Sequence, residues 1–327
     1  MAPLQEIVFP KGAWVDDRER RQYDEDGYVV REGVFTSAEI ADMVEACEAL
    51  VADLVRDRQG RRIHAGSYVF DPDVTRQTMI KWEGDSDIVH GIEPFAHLSP
   101  ALDDWAHDPR FLDLARDILD AEPMLFTEKL NLKRPHHGGV NPMHQDHPYW
   151  VGTADDADRV MTIMLMLDDA TLANGCLHVV PGSHRSGEWQ KRTDADVFGQ
   201  NEIDFNAYAE AELVPLEMKA GSLVAFGPFL VHQSAPNTSD TERRALLYSY
   251  QPVGMSHIRD MFKPKPKPQH PRKPTVVPPL KIFHLTNRPG RPKKGSRPPA
   301  TPESRQPTAP REELPADVAI GLGRTDR

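Results

Sequence analysis

Three side chains with metal-binding chemistry lie close together in the segment MHQDHPYW, residues 143 to 150. His144 and Asp146 are two positions apart, and side chains at i and i+2 point to the same face of an extended chain. If the segment is extended, it supplies two ligands for one ion while Gln145 points away. A lone His-x-Asp pair is more often ordinary surface chemistry, so a metal site requires a third ligand elsewhere.

The best candidate for the third ligand is His232, which ends the apolar run in GSLVAFGPFLVHQSAPNTS and precedes a turn. Two histidines and one carboxylate hold Fe(II) on one side and leave coordination positions open on the other. Arg243 begins RRALLYSYQP, eleven positions later, and we expect this run to return antiparallel beside the strand of His232. A guanidinium pairs with a carboxylate through two parallel hydrogen bonds, so Arg243 is suited to hold the far carboxylate of an organic diacid.

The first part of the chain supplies helices. Thr36 and Glu39 have the spacing of a capping box, and apolar residues follow at intervals of three and four from 40 to 54, which predicts an amphipathic helix. A second helix is predicted over 108 to 119, and residues 28 to 30 suggest a short strand.

After Glu122 the sequence changes to apolar or alternating runs separated by turn residues, a pattern typical of strands. The runs are MLFTEKLNLKRP, RVMTIMLMLDDA, GCLHVVPGSH, ELVPLEM, SLVAFGPFLVHQS and RRALLYSYQP. Strands at this spacing indicate a sandwich or barrel. No glycine-rich phosphate loop and no strand–helix alternation occurs, which disfavours a nucleotide-binding α/β fold. The predicted class is therefore α+β, with a jelly-roll core (a cupin-like double-stranded β-helix) flanked by N-terminal helices.

Composition indicates a globular protein of the cytoplasm. Of the 327 residues, 39% are hydrophobic and 27% are charged, which suits a chain with a real core. No run of about 18 apolar residues is present, so no transmembrane helix or membrane partner is expected. The N-terminus lacks a basic segment followed by an apolar one, so a secretory signal is not expected. Cys47 and Cys176 lie in apolar runs and are interpreted as reduced core residues.

Charge and proline content divide the chain near residue 261. Residues 1 to 260 carry 24 Lys and Arg against 45 Asp and Glu, and this acidic balance argues against nucleic acid as a partner. The remaining residues carry 15 against 5 and include 15 of the 30 prolines. We interpret 1–261 as one catalytic domain and 262–327 as a basic, mostly disordered tail. The tail is a solvated appendage, a docking segment for an acidic partner, or an extension that is not native.

Taken together, these pieces resemble the phytanoyl-CoA dioxygenase family of Fe(II)/2-oxoglutarate oxygenases, and the chain is also similar to ectoine hydroxylase. The matching pieces are EDGYVVREGVF, LNLKRP before NPMHQD, NGCLHVVPGSH, AGSLVAF and VHQSAPNTSDTERRAL, in the family's order over roughly residues 22 to 253. The resemblance implies that His144, Asp146 and His232 hold Fe(II). It further implies that Arg243 binds the C5 carboxylate of 2-oxoglutarate, that O2 is the second cosubstrate, and that succinate and CO2 are released.

The resemblance also places three polar side chains near 2-oxoglutarate. Asn131 lies where this family often offers an amide, and Thr162 and Ser234 lie where it often offers hydroxyls. Each of the three could instead be an ordinary polar residue of a strand. The carboxylate of Asp146 favours hydroxylation, or a related desaturation or ring-forming oxidation, because related halogenases carry a small residue at this position.

Neighbouring residues of the ligand segment have plainer interpretations. His147 is out of phase with Asp146 and is interpreted as pocket wall or as a hydrogen-bond partner of the ligands. Tyr149 and Trp150 either line the substrate cavity or pack in the core. His184, in PGSHRSG, is expected to stabilise a turn.

Two further assignments depend on strand phase and on loops. Arg244 has the opposite phase to Arg243 and is expected to face solvent, although the two roles could be exchanged. His136 and His137 lie in a predicted loop, where solvation is the simpler reading and substrate contact the alternative.

Two rival functions use the same residues. A metal hydrolase would hold Zn(II) with the same ligands to activate water, but it gives Arg243 no role. A non-catalytic jelly-roll binding module would keep the fold without turnover. The interpretation favoured is an oxygenase that hydroxylates a small organic molecule of specialised metabolism.

Overall fold

The computed structural model describes residues 15–58, 62–65, 68–192, 201–204, 206 and 212–259. The tail predicted at 262–327 lies outside the described residues, so its disorder and the domain boundary near 261 remain predictions. None of the described helices is both long and apolar enough to cross a membrane.

The described chain contains helices, strands and three short 3-10 turns. The helices are α1 Asp17–Asp26, α2 Ser37–Arg56, α3 Pro100–Ala106, α4 Pro109–Leu119 and α5 His147–Trp150. The 3-10 turns are Ala96–Leu98, Ala157–Arg159 and Ser183–Ser186. The strands are β1 Tyr28–Arg31, β2 Ile63–Ala65, β3 Tyr68–Asp73, β4 Thr78–Trp82, β5 Val89–Glu93, β6 Pro123–Lys133, β7 Asn141–His144, β8 Met161–Met166, β9 Leu177–Val179, β10 Val214–Leu216, β11 Leu223–Phe226, β12 His232–Ser234 and β13 Arg243–Pro252.

Both predicted helices form, and both begin as their sequences indicate. Thr36 caps α2 and exchanges hydrogen bonds with Glu39, so the predicted capping box is confirmed. Asp108 caps α4 with its side chain and Pro109 occupies the first helical position, where its missing N–H costs no hydrogen bond. The helix thus begins one residue later than predicted.

The strands form two antiparallel sheets. The large sheet has the order β1-β11-β8-β13-β6-β5-β4-β3-β2, and the small sheet has the order β10-β9-β12-β7. One hydrophobic core lies between the large sheet and the helices, where Tyr248 and Tyr250 donate hydrogen bonds to the carbonyls of Leu102 and Ala106 in α3. A second core joins the two sheets, because it contains Met164 of the large sheet together with residues of β9 and β10.

One predicted strand neighbour is wrong. Strand β13, which begins at Arg243, pairs with β6 and β8 in the large sheet, whereas β12 with His232 pairs with β7 and β9 in the small sheet. Strand β13 matches the eleven-residue β6 along nearly its whole length, while β12 has only three residues. The long ladder therefore decides the sheet of β13, and Arg243 reaches the space between the sheets from the wall opposite His232.

A meander of four strands, β2 to β5, extends the large sheet and was not predicted from the sequence. These strands pair in sequence order, and β5 joins the sheet through Gly91 opposite Asn131 and Ile92 opposite Leu130. The meander places Glu93 next to β6, on the edge of the space between the sheets. The two cysteines are buried and form no disulfide.

Candidate metal centre

Strand pairing brings the two predicted histidine ligands together. His144 ends β7 and His232 begins β12, and the two residues are direct partners in the antiparallel ladder. Their ring centroids are 4.2 Å apart. Side chains of directly paired residues stand on the same face of a sheet, so both imidazoles point into one space.

Asp146 completes the group. Its Oδ1 lies 3.7 Å from His144 Nε2 and 4.0 Å from His232 Nε2. These distances are too long for hydrogen bonds. Two ligand atoms that each lie about 2.1 Å from one ion are between about 3.0 and 4.2 Å apart, depending on the angle. The spacing thus suits a shared metal ion, and this is the one group of at least three possible ligands found among the described residues.

Hydrogen bonds fix the tautomer of both imidazoles. His144 Nδ1 lies 2.7 Å from the carbonyl of Pro142, and His232 Nδ1 lies 2.9 Å from the carbonyl of Leu230. A carbonyl only accepts, so each Nδ1 carries the proton and each Nε2 keeps its lone pair. In its neutral form each imidazole therefore presents an Nε2 acceptor toward Asp146.

Electrostatics favour a neutral His144 and an ionised Asp146. Burial lowers the pKa of His144 to about 3, and the neighbouring His232 contributes in the same direction. Burial raises the pKa of Asp146, but the charge of Lys129 and the two imidazoles outweigh that effect and hold its pKa below the usual value. The site thus combines a neutral His144 with an ionised Asp146, and these are the forms of the two residues that bind a divalent cation.

Asp146 reaches the site by a route that differs from the prediction. The segment is extended only to His144, whereas Asp146 has helical dihedrals (φ −72°, ψ −32°) and is the cap residue of α5. Gln145 points away as predicted and is tied down: its Nε2 donates to the carbonyls of Gly187 and Phe229, and its Oε1 accepts from the backbone of Trp189. These contacts, rather than strand alternation, aim Asp146 at the histidines.

Thr162 is found beside the metal ligands. Its hydroxyl lies 2.8 Å from Ser249 Oγ and also hydrogen-bonds Asp146. The side chain is 1% exposed. Thr162 therefore supports the Asp146 carboxylate, and its contact with 2-oxoglutarate stays a prediction.

Arg243 has the features of a ligand anchor. Its side chain is 1% exposed, and its Nε and Nη1 have no hydrogen-bond partner among the described residues. Burial lowers its pKa to about 10, so it stays protonated at neutral pH. A buried guanidinium without an anion is costly, and a carboxylate is the group that satisfies its donors in pairs. The residue fits the C5 carboxylate of 2-oxoglutarate.

A buried lysine, Lys133, lies beside Arg243. Lys133 is its partner in the β6–β13 ladder and donates to the carbonyls of Ala235, at 2.7 Å, and Gly139. Burial and the charge of Arg243 lower the pKa of Lys133 to about 7. Ala235 follows His232 by three residues, which is about 10 Å of extended chain. Lys133 thus ties β6 to the chain that follows β12.

The two remaining predicted contacts lie on the walls between these ends. Asn131 is opposite Ala245 of β13 and shares a face of β6 with Lys133. Ser234 is 3% exposed, and its Oγ accepts from Asn141 Nδ2 at 3.1 Å. Contact of either side chain with 2-oxoglutarate stays a prediction.

Residues that the sequence left with plainer roles have identifiable contacts. His147 stacks on Phe229 and lies 2.8 Å from both Asp158 and Glu188, away from the triad. The ring of Tyr149 meets His144 edge-on at 5.8 Å, so it borders the site. Trp150 is 2% exposed and packs with Phe126, Val160 and Ile258.

The other histidines and the second arginine behave as expected in part. His184 Nε2 lies 3.2 Å from the carbonyl of Asp24, which ties the turn after β9 to α1. His136 pairs with the exposed Asp240 in a loop. Arg244 points away from Arg243, but it pairs with Asp168 and Glu48 rather than only facing solvent.

Comparison with known proteins agrees with this geometry. The family model described as phytanoyl-CoA dioxygenase (PhyH) matches residues 23–245. The chain belongs to the phytanoyl-CoA dioxygenase family. The phytanoyl-CoA dioxygenase of Arabidopsis thaliana is 31% identical over 179 residues, which cover 53% of this chain and 61% of the relative. The ectoine dioxygenase of Bordetella parapertussis is 27% identical over 285 residues, which cover 81% of this chain and 85% of the relative.

Solved structures of one relative contain the expected ligands. EctD from S. alaskensis with 2-oxoglutarate and 5-hydroxyectoine has a TM-score of 0.59 at 25% identity, covering 75% of this chain and 79% of EctD. EctD with bound Fe has a TM-score of 0.58 over the same shares, also at 25% identity. The predicted enzyme class is confirmed: the protein is a 2-oxoglutarate-dependent dioxygenase of an iron-using family.

Proposed function

We propose that this dioxygenase hydroxylates a small organic substrate, with Fe(II) held by His144, Asp146 and His232 and 2-oxoglutarate anchored by Arg243. One observation carries the proposal: two Nε2 lone pairs and a carboxylate meet between the sheets. The buried guanidinium of Arg243 supports it further, because its Nε and Nη1 have no hydrogen-bond partner among the described residues.

The protein's own contribution is positioning and the exclusion of water. Iron, 2-oxoglutarate and O2 supply the oxidising chemistry when bound. The carbonyls of Pro142 and Leu230 hold the imidazoles in the ligating tautomer, and Thr162 holds the carboxylate. Arg243 fixes the far end of the diacid, and the apolar core between the sheets keeps solvent out.

Two side chains are proposed as further contacts to 2-oxoglutarate. Asn131 and Ser234 lie on strands that run between the triad and the Arg243 end. Their amide and hydroxyl groups suit the oxygens of the cosubstrate. For Thr162 we now favour support of Asp146 over a cosubstrate contact, because its hydroxyl is already engaged there.

The metal ligands support the type of reaction, and the relatives support the class of substrate. An intact carboxylate at Asp146 favours hydroxylation, with desaturation or ring closure as related outcomes. Relatives named for ectoine, a small molecule, support a small substrate, and we propose one of specialised metabolism. A zinc hydrolase would use the same ligands but would leave Arg243 without a role.

We propose three further assignments for the whole chain. The two facing antiparallel sheets form a jelly-roll, or double-stranded β-helix, as in cupin-like folds. Residues 1–261 form the catalytic domain. A cytoplasmic location is supported by two buried thiols that form no disulfide.

O2-dependent release of succinate from 2-oxoglutarate, in a screen of small-molecule substrates, tests the proposal. Asp146→Ala should abolish substrate-dependent succinate formation, whereas Asp158→Ala, an acidic control 69% exposed outside the triad, should retain it. Full activity in Asp146→Ala would reject Asp146 as a ligand.

A further inference from the structure

A charged pair on the large sheet lies beside the proposed iron site and has no part in the mechanism described so far. Lys129 Nζ lies 3.7 Å from Glu93 Oε2 across strands β6 and β5. Thr127 Oγ1 donates to the other oxygen, Glu93 Oε1, at 2.9 Å. The carboxylate is therefore held in a fixed orientation, with one oxygen toward the ammonium.

Three observations place Lys129 beside the metal ligands. In the ladder it is opposite Leu247, which is opposite Met164, and both of these partners line the core between the sheets. Its Nζ lies 5.9 Å from the ring of Trp150, in the short helix that follows Asp146. Its charge also acts on the pKa of Asp146. The ammonium thus faces the same space as the triad.

The pair is enclosed but still accessible. The side chains of Lys129 and Glu93 keep 25% and 23% of their surface exposed. Burial raises the pKa of Glu93, although the charge of Lys129 opposes this effect. The pKa of Lys129 is also raised, because the carboxylates of Glu93 and Asp146 outweigh the effect of its burial. Two charged side chains therefore lie beside the iron site and remain partly accessible to a ligand.

Stability does not account for the pair. An ion pair taken out of water gains little over well-packed apolar side chains, because the desolvation cost offsets the attraction. Charged groups in such a pocket discriminate among ligands, because a ligand without matching charges leaves them unpaired. The pair is better explained by what binds to it.

We propose that Lys129 and Glu93 recognise a zwitterionic group of the substrate, with Lys129 binding a carboxylate and Glu93 binding an ammonium. A zwitterion replaces one ion pair with two and leaves the net charge of the pocket unchanged. A simple anion would bind Lys129 but lie against the Glu93 carboxylate, and a simple amine would meet the opposite problem. The inference rests on the proposed function, because it assigns the substrate of the same site.

Matched sets of ligands test the proposal. Each set contains an amino acid, the carboxylic acid without its amine and the amine without its carboxylate, on one carbon skeleton. Pipecolate, cyclohexanecarboxylate and piperidine form one set; 5-aminovalerate, pentanoate and pentylamine form another, and linear and cyclic skeletons of other sizes extend the series. Binding is measured by calorimetry on the full chain loaded anaerobically with Fe(II) and 2-oxoglutarate.

We expect the zwitterion of at least one set to bind at least about 30-fold more tightly than its two partners. Lys129→Met and Glu93→Gln should each weaken that binding by about 30-fold or more, while Lys129→Arg retains most of it. Lys219→Met is the matched control, because Lys219 pairs with Asp169 at 2.7 Å on the surface, 82% exposed.

Three results would overturn the proposal. They are binding of the acid as tight as that of the zwitterion in every set, binding of the amine as tight as that of the zwitterion in every set, and unchanged zwitterion binding in Lys129→Met and Glu93→Gln. Iron and 2-oxoglutarate binding by the wild-type protein is measured first. If that binding fails, the proposed function fails; if it succeeds and the ligand series shows no preference, only the substrate inference fails.

Discussion

At the scale of single residues, Arg243 is the side chain that folding alone does not explain. It is 1% exposed, and two of its three nitrogens have no partner among the described residues. A buried cation without a counter-charge costs several kcal/mol, which the rest of the fold must offset. Such a residue is retained because it binds a ligand, so its removal should weaken ligand binding without lowering the stability of the fold.

Arg243→Met should weaken 2-oxoglutarate binding by about 30-fold or more, because the bidentate partner of the C5 carboxylate is lost. Without 2-oxoglutarate, the unfolding temperature of the variant should equal or exceed that of the wild type. Calorimetric titration and thermal unfolding measure the two quantities. Arg244→Met is the control: it loses ion pairs with Asp168 and Glu48 and should lose stability while keeping 2-oxoglutarate affinity. Unchanged affinity in Arg243→Met would refute the anchor.

Residue types and spacing were sufficient to find the triad, because His144 and Asp146 are two positions apart and His232 ends an apolar run before a turn. They were not sufficient to find Lys129 and Glu93, which are far apart in sequence and belong to no short motif. A signal was present in TEKLNLK, where Thr127, Lys129, Asn131 and Lys133 share one strand phase. A strand with a polar face turned inward indicates a pocket wall.

At the scale of elements, the loop from β7 to α5 decides whether the carboxylate meets the histidines. Gln145 is 1% exposed and makes three hydrogen bonds to the backbone of neighbouring loops. Asp146 follows directly, with helical dihedrals. The direction of the carboxylate therefore depends on the anchoring of its neighbour.

Gln145→Leu should destabilise the fold by about 2 to 4 kcal/mol, because buried hydrogen-bonding groups lose their partner. It should also weaken Fe(II) binding, although no ligand is changed, because Asp146 is no longer held in position. Urea unfolding and metal titration check the two effects. Wild-type Fe(II) affinity in a folded Gln145→Leu protein would contradict the role assigned to this loop.

Strand β6 also carries a buried acid on its helix-facing side. Glu128 is 1% exposed, and its Oε1 accepts the backbone N–H groups of Phe95 and Ala96 at 2.7 and 2.6 Å. Burial raises its pKa to about 7 despite these hydrogen bonds. Its ionisation near neutral pH thus works against the fold.

Glu128→Gln keeps an oxygen acceptor and removes the titration. A carboxyl whose pKa is raised by folding stabilises the protein below its unfolded pKa and loses that contribution as pH rises through the folded value. Relative to the variant, the wild type should lose up to about 3 kcal/mol between about pH 4.5 and pH 7. Urea unfolding across this range measures the difference, and a difference independent of pH would contradict the assignment.

Elements were predictable where local pattern dominates. The capping box of α2 and the cap of α4 are local signals, and both helices form there. The neighbour of β13 was wrong because sheet order depends on pairing between distant segments, and β6 offers a longer ladder than β12. The short strands from β2 to β5 were missed because charged and turn residues interrupt their apolar pattern.

At the scale of the whole molecule, the acidic body and the basic tail are distinct in composition. The described residues already contain the triad, Arg243 and both sheets. We therefore expect removal of residues 262–327 to leave iron binding, 2-oxoglutarate binding and turnover unchanged. Metal titration and succinate release on the shortened chain check this. Loss of turnover would show that the boundary at 261 is wrong. If the shortened chain keeps turnover but no longer binds an acidic protein that the full chain binds, the tail is a docking segment.

The central claim is that one ferrous ion is shared by His144, Asp146 and His232. Anaerobic titration of the full chain with Fe(II) in the presence of 2-oxoglutarate, followed by the visible charge-transfer absorption of the complex, tests it most directly. We expect the wild type to bind one Fe(II) per chain. The charge-transfer absorption should be lost in Asp146→Ala and in His232→Ala. Asp158→Ala should keep the stoichiometry and the absorption of the wild type. Stoichiometric binding with the same absorption in both triad variants would contradict the claim.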